Sequence, residues 1–124
     1  MNRDARKLLL DASEACQSIQ RHCAGCTLQQ YAADRWFRRA VEREFEIIGQ
    51  ALHRLSRLDS ATAARITALR RIVDFRNRII HGYDTVDDTV VWGVVEKELP
   101  ILKTELETLM SEGGGAGMPN ATSS

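Results

Sequence analysis

The chain has 124 residues, of which 44% are hydrophobic and 27% are charged, and its formal net charge at pH 7 is zero. This composition is that of one ordinary globular domain, and no apolar run approaches the about 20 residues that a membrane-spanning helix needs. The basic residues near the start precede neither a long apolar run nor a small-residue cleavage site, so we expect a cytoplasmic protein without an export signal. The three cysteines, an odd number, favour reduced thiols over a disulfide framework.

Apolar residues recur at three- and four-residue steps along most of the chain, and this spacing predicts helices rather than strands. A first predicted helix ends at Gly25, which can adopt a left-handed cap, and a second covers residues 34–58. The apolar stripe of the first helix is Leu8, Ala12, Ala15, Cys16, Ile19 and Cys23. The stripe of the second is Phe37, Val41, Phe45, Ile48, Leu52 and Leu55. Each helix is therefore predicted to bury one face.

A third predicted helix covers residues 61–81, with Asp59 or Ser60 as its N-cap and Gly82 as its end. Thr85 and Asp88 have the spacing of a capping box for a fourth helix, which Pro100 should bend. The apolar stripe of this fourth helix is Val91, Val95, Leu99, Leu102, Leu106 and Leu109. Four helices with short connections predict an all-α, antiparallel four-helix bundle over residues 1–110. Residues 111–124 are rich in Gly and Ser, and we expect them to form a disordered tail.

Charge is distributed unevenly along the chain although it sums to zero. Residues 35–78 contain eleven arginines and five acids, a balance of +6, so the remaining residues sum to −6. Such a segment can build a basic surface, and the planar fork of arginine suits phosphate. The same arginines can equally be the solvated faces of two helices that also carry glutamates.

One arginine of the third predicted helix lies inside the apolar face. On a wheel that starts at Ile66, that face centres near about 290° and Arg76 falls at about 280°. A buried arginine needs a partner, and two kinds are open: a carboxylate such as Glu44, or a phosphate or second subunit that meets Arg76 at a cleft. The same wheel places Phe75 at about 180°, off the main face, where it could serve a dimer contact.

Three more polar residues stand near that arginine. Asn77 and His81 fall at about 20° and 60° on the wheel, at the border of the apolar face, and Tyr83 follows where the chain turns away. Arg, Asn, His and Tyr can therefore project around one cleft at a helix end. An arginine and a histidine five residues apart are nevertheless a weak signal, because a histidine at a helix C-terminus is often only a cap that favours the helix dipole.

The segment "RNRIIHGYDTVDDTVVW", which begins at Arg76, resembles the motif of HEPN domains in the branch of HepT-like toxins: arginine, four residues, histidine, any residue, tyrosine. "AVEREFEIIGQAL" and "VVWGVVEKELPILKTEL" resemble the second and fourth helices of that branch, so the resemblance covers residues 1–110. The chain departs from the family at Gly49-Gln50-Ala51, where the family usually has Gly-Glu-Ala. A role of that glutamate in the cleft would be weakened here or passed to Glu44 or Glu46.

The resemblance implies a helical bundle that pairs as a homodimer and joins two Arg-His motifs in one cleft. It implies a metal-independent endoribonuclease without cofactor or membrane association, acting as the toxin of a type VII toxin–antitoxin system. It also implies a small nucleotidyltransferase antitoxin of the MntA type as partner, which adds AMP units to the motif tyrosine, here Tyr83.

Metal-independent RNA cleavage needs a proton acceptor, a proton donor and positive charge at the phosphate. His81 suits the role of general base or acid, and Arg76 that of a bidentate phosphate clamp. Asn77 would hold phosphate or orient His81, and Arg78 would support RNA binding.

Three other hypotheses stay open. The first is a noncatalytic HEPN module that binds a nucleotide or docks onto a nucleotidyltransferase without cutting RNA. The second is a zinc site in "CQSIQRHCAGC", built from Cys16, His22, Cys23 and Cys26, which lacks a second cysteine pair. The third gives Trp36, Phe37 and Trp92 to base stacking, although core or dimer contacts suit them better.

Overall fold

The helical spacing of the sequence becomes seven α-helices and no strand in a computed structural model that describes residues 1–81 and 87–115. A π-helical turn, Val94–Glu98, joins the last two α-helices into one continuous rod. The α-helices are α1 Arg3–Cys23, α2 Leu28–Ala33, α3 Arg35–Leu58, α4 Ser60–Ala63, α5 Leu69–Ile80, α6 Asp88–Gly93 and α7 Leu99–Gly115.

The long helices pack side by side around one apolar core. α1 lies between α3 and α7, and α5 packs on the other side of α3. Every residue of the predicted stripe of the last helix is buried, as is most of the stripes of α1 and α3. The prediction of an all-α helical bundle is confirmed. None of the described helices is both long and apolar enough to cross a membrane.

The short helix α2 was not predicted. Thr27 and Gln30 form a capping box, in which the Thr27 hydroxyl oxygen accepts from the Gln30 backbone N–H at 3.1 Å and the Thr27 N–H donates to Gln30 Oε1 at 2.8 Å. The helix places Tyr31 in the core, with its ring centroid 5.3 Å from those of Phe37 and Trp92. α2 therefore anchors the loop between α1 and α3 to the start of the last helix.

The aromatic residues take different positions. Trp92 is buried and Phe37 is half-buried against it, so the prediction of core contacts is confirmed for these two rings. Trp36 is 84% exposed, so a core position is wrong for it. The reason is its position on the helix wheel of α3, where it lies about 100° from Phe37 and outside the buried stripe.

The hydroxyl of Tyr31 is buried and has no hydrogen-bond partner among residues 1–81 and 87–115. Burial raises the pKa of this phenol. A buried donor without a partner costs about 1–3 kcal/mol, so we expect Tyr31→Phe to raise the free energy of unfolding by about 1 kcal/mol. Urea denaturation measures this change, and Tyr31→Leu, which also removes the ring packing, should lower the stability. A loss of stability in Tyr31→Phe would mean that the hydroxyl has a partner.

The third predicted helix is broken. Asp59 is the N-cap of α4, as predicted, and its carboxylate accepts from the Thr62 backbone N–H at 3.1 Å. The chain then leaves the helix and α5 begins only at Leu69. Contacts with the last helix hold the intervening segment, because Thr67 donates through its N–H and its hydroxyl to the Glu105 carboxylate at 3.1 and 2.5 Å. These tertiary contacts override the helical spacing of the sequence.

The break changes which face of α5 is buried. Phe75, predicted off the main face, is in the core, and its ring meets that of Phe45 edge-to-face at 5.0 Å. Ile80, which the wheel from Ile66 places at about 320°, inside the predicted face, is 47% exposed. The predicted wheel began at Ile66, which is buried but precedes α5, so it placed the apolar face too far toward Ile80.

Glutamates at seven-residue intervals join the last helix to the α5 side of the bundle. Glu112 accepts two hydrogen bonds from Arg65 at 2.6 and 2.9 Å, Glu105 accepts from Thr67, and Glu98 pairs with Arg71 at 2.8 Å. We call Glu98, Glu105 and Glu112 the glutamate row. A seven-residue interval returns to nearly the same helix face, so the row lines one face of the last helix, where it meets Arg71 of α5 and the segment that precedes α5.

The last helix begins later than predicted. Its N-cap is Asp87, whose carboxylate accepts from the Thr89 backbone N–H at 2.8 Å, so the predicted cap at Thr85 is wrong. Thr85 itself and the predicted helix end at Gly82 lie outside the described residues. The sequence predicted a bend at Pro100, and the π-helical turn Val94–Glu98 lies just before this residue. Proline crowds the carbonyl four residues earlier, and the wider turn, with Leu99 N–H donating to Val94 O, accommodates it. α7 extends to Gly115, into the segment predicted as the tail; residues 116–124 are not described.

Candidate active site

The stem of Arg76 crosses α3 at a glycine. Gly49 is buried, and a Cβ built on it would lie 2.3 Å from the Cβ of Arg76 and 2.6 Å from its Cγ. Real Cβ atoms essentially never come so close, so the two helices can approach here only because position 49 lacks a side chain. Gly49 therefore sets the position of the arginine, a role that sequence reasoning missed.

The guanidinium of Arg76 is only partly open to solvent. Its Nε is buried and has no hydrogen-bond partner among residues 1–81 and 87–115, while its Nη1 donates to Asn77 Oδ1 at 3.0 Å. Arg76 takes part in none of the ion pairs found among those residues. The prediction that this arginine points inward is confirmed, and part of its hydrogen-bonding capacity stays unused within the described chain.

The predicted carboxylate partner, Glu44, lies elsewhere. It lines an apolar surface groove of about 590 Å³ together with Trp36 of α3 and His22 of α1. On the wheel of α3, Glu44 is about 140° from Gly49, which contacts Arg76. The prediction of a Glu44–Arg76 pair is therefore wrong, because Glu44 leaves α3 on a different side from the one that meets Arg76.

His81 is the C-cap of α5 and is exposed. Its backbone N–H donates to the carbonyl oxygen of Asn77 at 3.0 Å. Asn77 thus touches both halves of the motif, through its side chain to Arg76 and through its backbone to His81. Five residues of helix correspond to about 140° of rotation, so Arg76 and His81 leave α5 in different directions.

The remaining predicted residues are spread around this helix end. Arg78 is exposed and lines a groove between α5 and the last helix. Tyr83 lies outside the described residues. Gln50, which stands where the family usually has glutamate, is exposed and lines a small groove with Leu8 and Asp11 of α1. Position 50 therefore faces residues of α1, whereas the neighbouring Gly49 faces Arg76.

Glu42 of α3 is the described carboxyl whose pKa rises. Burial is the main cause, and the charges of Asp88 and Glu46 act in the same direction, while Arg39 and Arg38 lower the pKa. Glu46 is half-buried and pairs with Arg43 at 3.3 Å. The Glu42 carboxyl, in the first half of α3, is thus influenced by the charge of Asp88 at the start of the last helix.

The cysteines do not form the ligand set that a zinc site needs. Among residues 1–81 and 87–115, no three His, Cys, Asp or Glu side chains stand close enough to hold a metal ion. Cys16 and Cys23 are buried in the core stripe of α1, as the sequence predicts, and burial raises the pKa of the Cys23 thiol to about 11. His22 Nδ1 lies 2.7 Å from the carbonyl oxygen of Ser18 in the same helix.

Fold and site together define a small all-α protein that carries an arginine, an asparagine and a histidine at the C-terminal end of one helix. A family model described as "Ribonuclease HepT-like" matches residues 12–109. The chain belongs to this HepT-like ribonuclease family, and the resemblance that the motif suggested is confirmed.

Three relatives of this chain are similar over nearly their whole length. A "Probable ribonuclease HepT" of Thermococcus cleftensis is 29% identical over 88% of this chain and 98% of its own. A "Putative RNase" of Methanocaldococcus jannaschii is 27% identical over 85% of this chain and 95% of its own. A "Putative RNase" of Caldanaerobacter subterraneus is 23% identical over 80% and 88%, respectively. No solved structure matches the chain.

Proposed function

We propose that this chain is a metal-independent endoribonuclease that acts as the toxin of a toxin–antitoxin pair, with Arg76 and His81 as its catalytic residues. Membership of the HepT-like ribonuclease family supports the reaction class. The observation that carries the proposal is the partly buried guanidinium of Arg76, which has no carboxylate partner among residues 1–81 and 87–115 and lies within two helical turns of His81.

The reaction follows from the chemistry of these groups. The 2′-oxygen of a ribose attacks the adjacent phosphorus and the 5′-oxygen of the next nucleotide leaves, giving a 2′,3′-cyclic phosphate and a free 5′-hydroxyl. One imidazole takes the 2′-hydroxyl proton and a second, protonated imidazole supplies a proton to the leaving oxygen. The guanidinium stabilises the charge that builds up on the phosphate oxygens. Asn77 holds that guanidinium in place through its hydrogen bond at 3.0 Å.

A homodimer supplies the groups that one chain lacks. Each chain brings one imidazole and one guanidinium of the motif. These two groups lie about 140° apart around α5, so within one chain they point away from a single reacting phosphate. Two copies related by a twofold axis can place the arginine of one chain beside the histidine of the other. Exposed Ile80 and half-buried Val73 give the Arg76 side of α5 apolar surface for such a contact.

The test is to incubate a defined single-stranded RNA with the purified protein in excess chelator. Wild-type protein should cleave it and leave 2′,3′-cyclic phosphate ends, identified by mass spectrometry, whereas His81→Ala should leave the RNA intact. Cleavage that survives in His81→Ala would remove the assigned mechanism. Intact RNA with wild-type protein that still binds a nucleotidyltransferase would instead favour a noncatalytic module.

The proposal includes control by a nucleotidyltransferase antitoxin that attaches AMP to Tyr83. An added nucleotide brings anionic phosphate to within two residues of His81 and would exclude RNA by charge and by bulk. We expect Tyr83→Phe to cleave RNA at a rate close to that of wild type but to take up no AMP. Intact mass before and after incubation with the cognate transferase and ATP measures the modification; uptake by Tyr83→Phe would place the acceptor elsewhere.

A further inference from the structure

A groove of about 560 Å³ runs between α5 and the start of the last helix, on the side of α5 away from Arg76. We call it the α5–π groove, because the π-helical turn forms part of its wall. Its apolar floor is formed by Phe75, Val90, Gly93 and Val94, and Arg78 and Lys97 are cations on its wall. Arg78 precedes His81 by three residues, and residues three apart on a helix are neighbours, so the groove begins one helical turn from the proposed catalytic imidazole.

Gly93 keeps this groove open. Its backbone is helical, with φ −61° and ψ −40°, and a Cβ built on it would meet nothing within 4 Å. Neither a turn nor a close approach requires a glycine here, in contrast to Gly49. A glycine inside a helix costs about 1 kcal/mol relative to alanine. The fold accepts this cost at a position where any side chain would project into the groove.

The π-helical turn that follows is the second irregular feature of the groove. It begins at Val94, directly after Gly93, and places Val94 and Lys97 on the groove wall. The glycine and the π turn thus follow each other at the point where the last helix faces Arg78.

Arg78 and Lys97 offer positive charge to an anion in the groove. Three carboxylates also border it: Glu98 is paired with Arg71 at 2.8 Å, Asp87 caps α6, and Asp74 is exposed on α5. Arg78 and Lys97 take part in none of the ion pairs among residues 1–81 and 87–115. Two cations without a carboxylate partner in that part of the chain, above an apolar floor, match a phosphate joined to a base.

The geometry points to the α5–π groove as a subsite for the single-stranded RNA that flanks the cleaved bond. The base would lie on the floor of Phe75, Val90 and Val94, and the neighbouring phosphates would meet Arg78 and Lys97. This inference rests on the proposed ribonuclease function and extends it from one bond to a longer recognised strand. It predicts that Gly93 and Lys97 contribute to the preference for a longer RNA over a dinucleotide.

The experiment compares two substrates, a dinucleoside monophosphate, which has one cleavable bond, and a 12-nucleotide single-stranded RNA. Gly93→Leu fills the groove, and we expect the ratio of kcat/KM for the 12-mer to that for the dinucleotide to fall about tenfold. Lys97→Ala should lower the same ratio. Thr89→Leu adds apolar bulk at an exposed position of α6 outside the groove without a change of charge, and its ratio should equal that of wild type. Thermal melting of each variant checks the fold.

Binding of the 12-mer in the His81→Ala background, followed by fluorescence anisotropy at several salt concentrations, separates this inference from the proposed function. Lys97→Ala should reduce the slope of log K against log salt by about 0.7, as expected for one lost phosphate contact, while Gly93→Leu should weaken binding without changing the slope. If wild type cleaves neither RNA but both variants bind the 12-mer more weakly, the cleavage proposal fails and the groove stands. Unchanged 12-mer binding in both variants would overturn the groove, whether or not wild type cleaves.

Discussion

Arg76→Met is expected to lower RNA cleavage about 10²- to 10³-fold while the bundle stays folded. Methionine keeps an unbranched apolar stem of similar length, so the packing over Gly49 is retained. The substitution removes the guanidinium, with its buried Nε and its hydrogen bond to Asn77. Initial rates on a defined RNA measure the loss, and thermal melting shows that the fold is kept.

Two further variants sharpen this prediction. Arg76→Lys keeps a positive charge but lacks the planar fork, and we expect it to recover only part of the activity. Arg21→Met makes the same change on the exposed surface of α1, outside residues 35–78, and should cleave like wild type. Full cleavage by Arg76→Met would show that the guanidinium does not act on the phosphate.

Gly49→Ala is expected to lower cleavage about 100-fold, far more than its effect on stability implies. The added methyl group would lie 2.3 Å from the Cβ of Arg76, close to the backbone of α5, so the helix itself must shift. Overpacking costs about 1–3 kcal/mol, and the better helix propensity of alanine returns about 1 kcal/mol. A displacement of about 1 Å is nevertheless enough to cost about 100-fold in rate.

Gly93→Ala is the matched control for the effect of this substitution on stability. It makes the same change in a helical backbone where the new methyl group meets nothing within 4 Å. We expect it to raise the free energy of unfolding by about 1 kcal/mol, whereas Gly49→Ala should lower it. Urea denaturation gives both values. If Gly49→Ala were as stable and as active as wild type, α3 and α5 would not need the close approach that positions Arg76.

The class of fold and the inward position of Arg76 could be read from the sequence because both depend on local periodicity. The apolar stripes of α1, α3 and the last helix recur at helical steps, and burial follows that repeat. Arg76 interrupts one such stripe, so its unusual environment is visible without coordinates. The motif residues alone did not indicate a ribonuclease. That hypothesis came from their resemblance to a known family.

The features that sequence reasoning missed depend on contacts between distant segments. The break before α5 is held by Glu105 and Glu112, about 40 residues further along the chain, while the intervening residues keep helical spacing. The role of Gly49 depends on which residue of α5 packs against it, and the sequence alone does not give that contact. α2 is a different case, because Thr27 and Gln30 have capping-box spacing and could have been recognised.

α5 is held by apolar packing on one side and by charged contacts on the other, and the charged contacts respond to salt and pH. α5 packs against α3 through the ring of Phe75 and the stem of Arg76. Toward the last helix, the glutamate row contacts Arg71 of α5 and Arg65 and Thr67 just before it, and its ion pairs weaken when salt screens them. The Arg65 guanidinium also holds the pKa of the Glu112 carboxyl below its usual value, so the contribution of this pair is complete at neutral pH and fades upon acidification. Ionic strength and acidity therefore act on the charged contacts at the start of α5, whereas its contact with α3 through Phe75 is apolar.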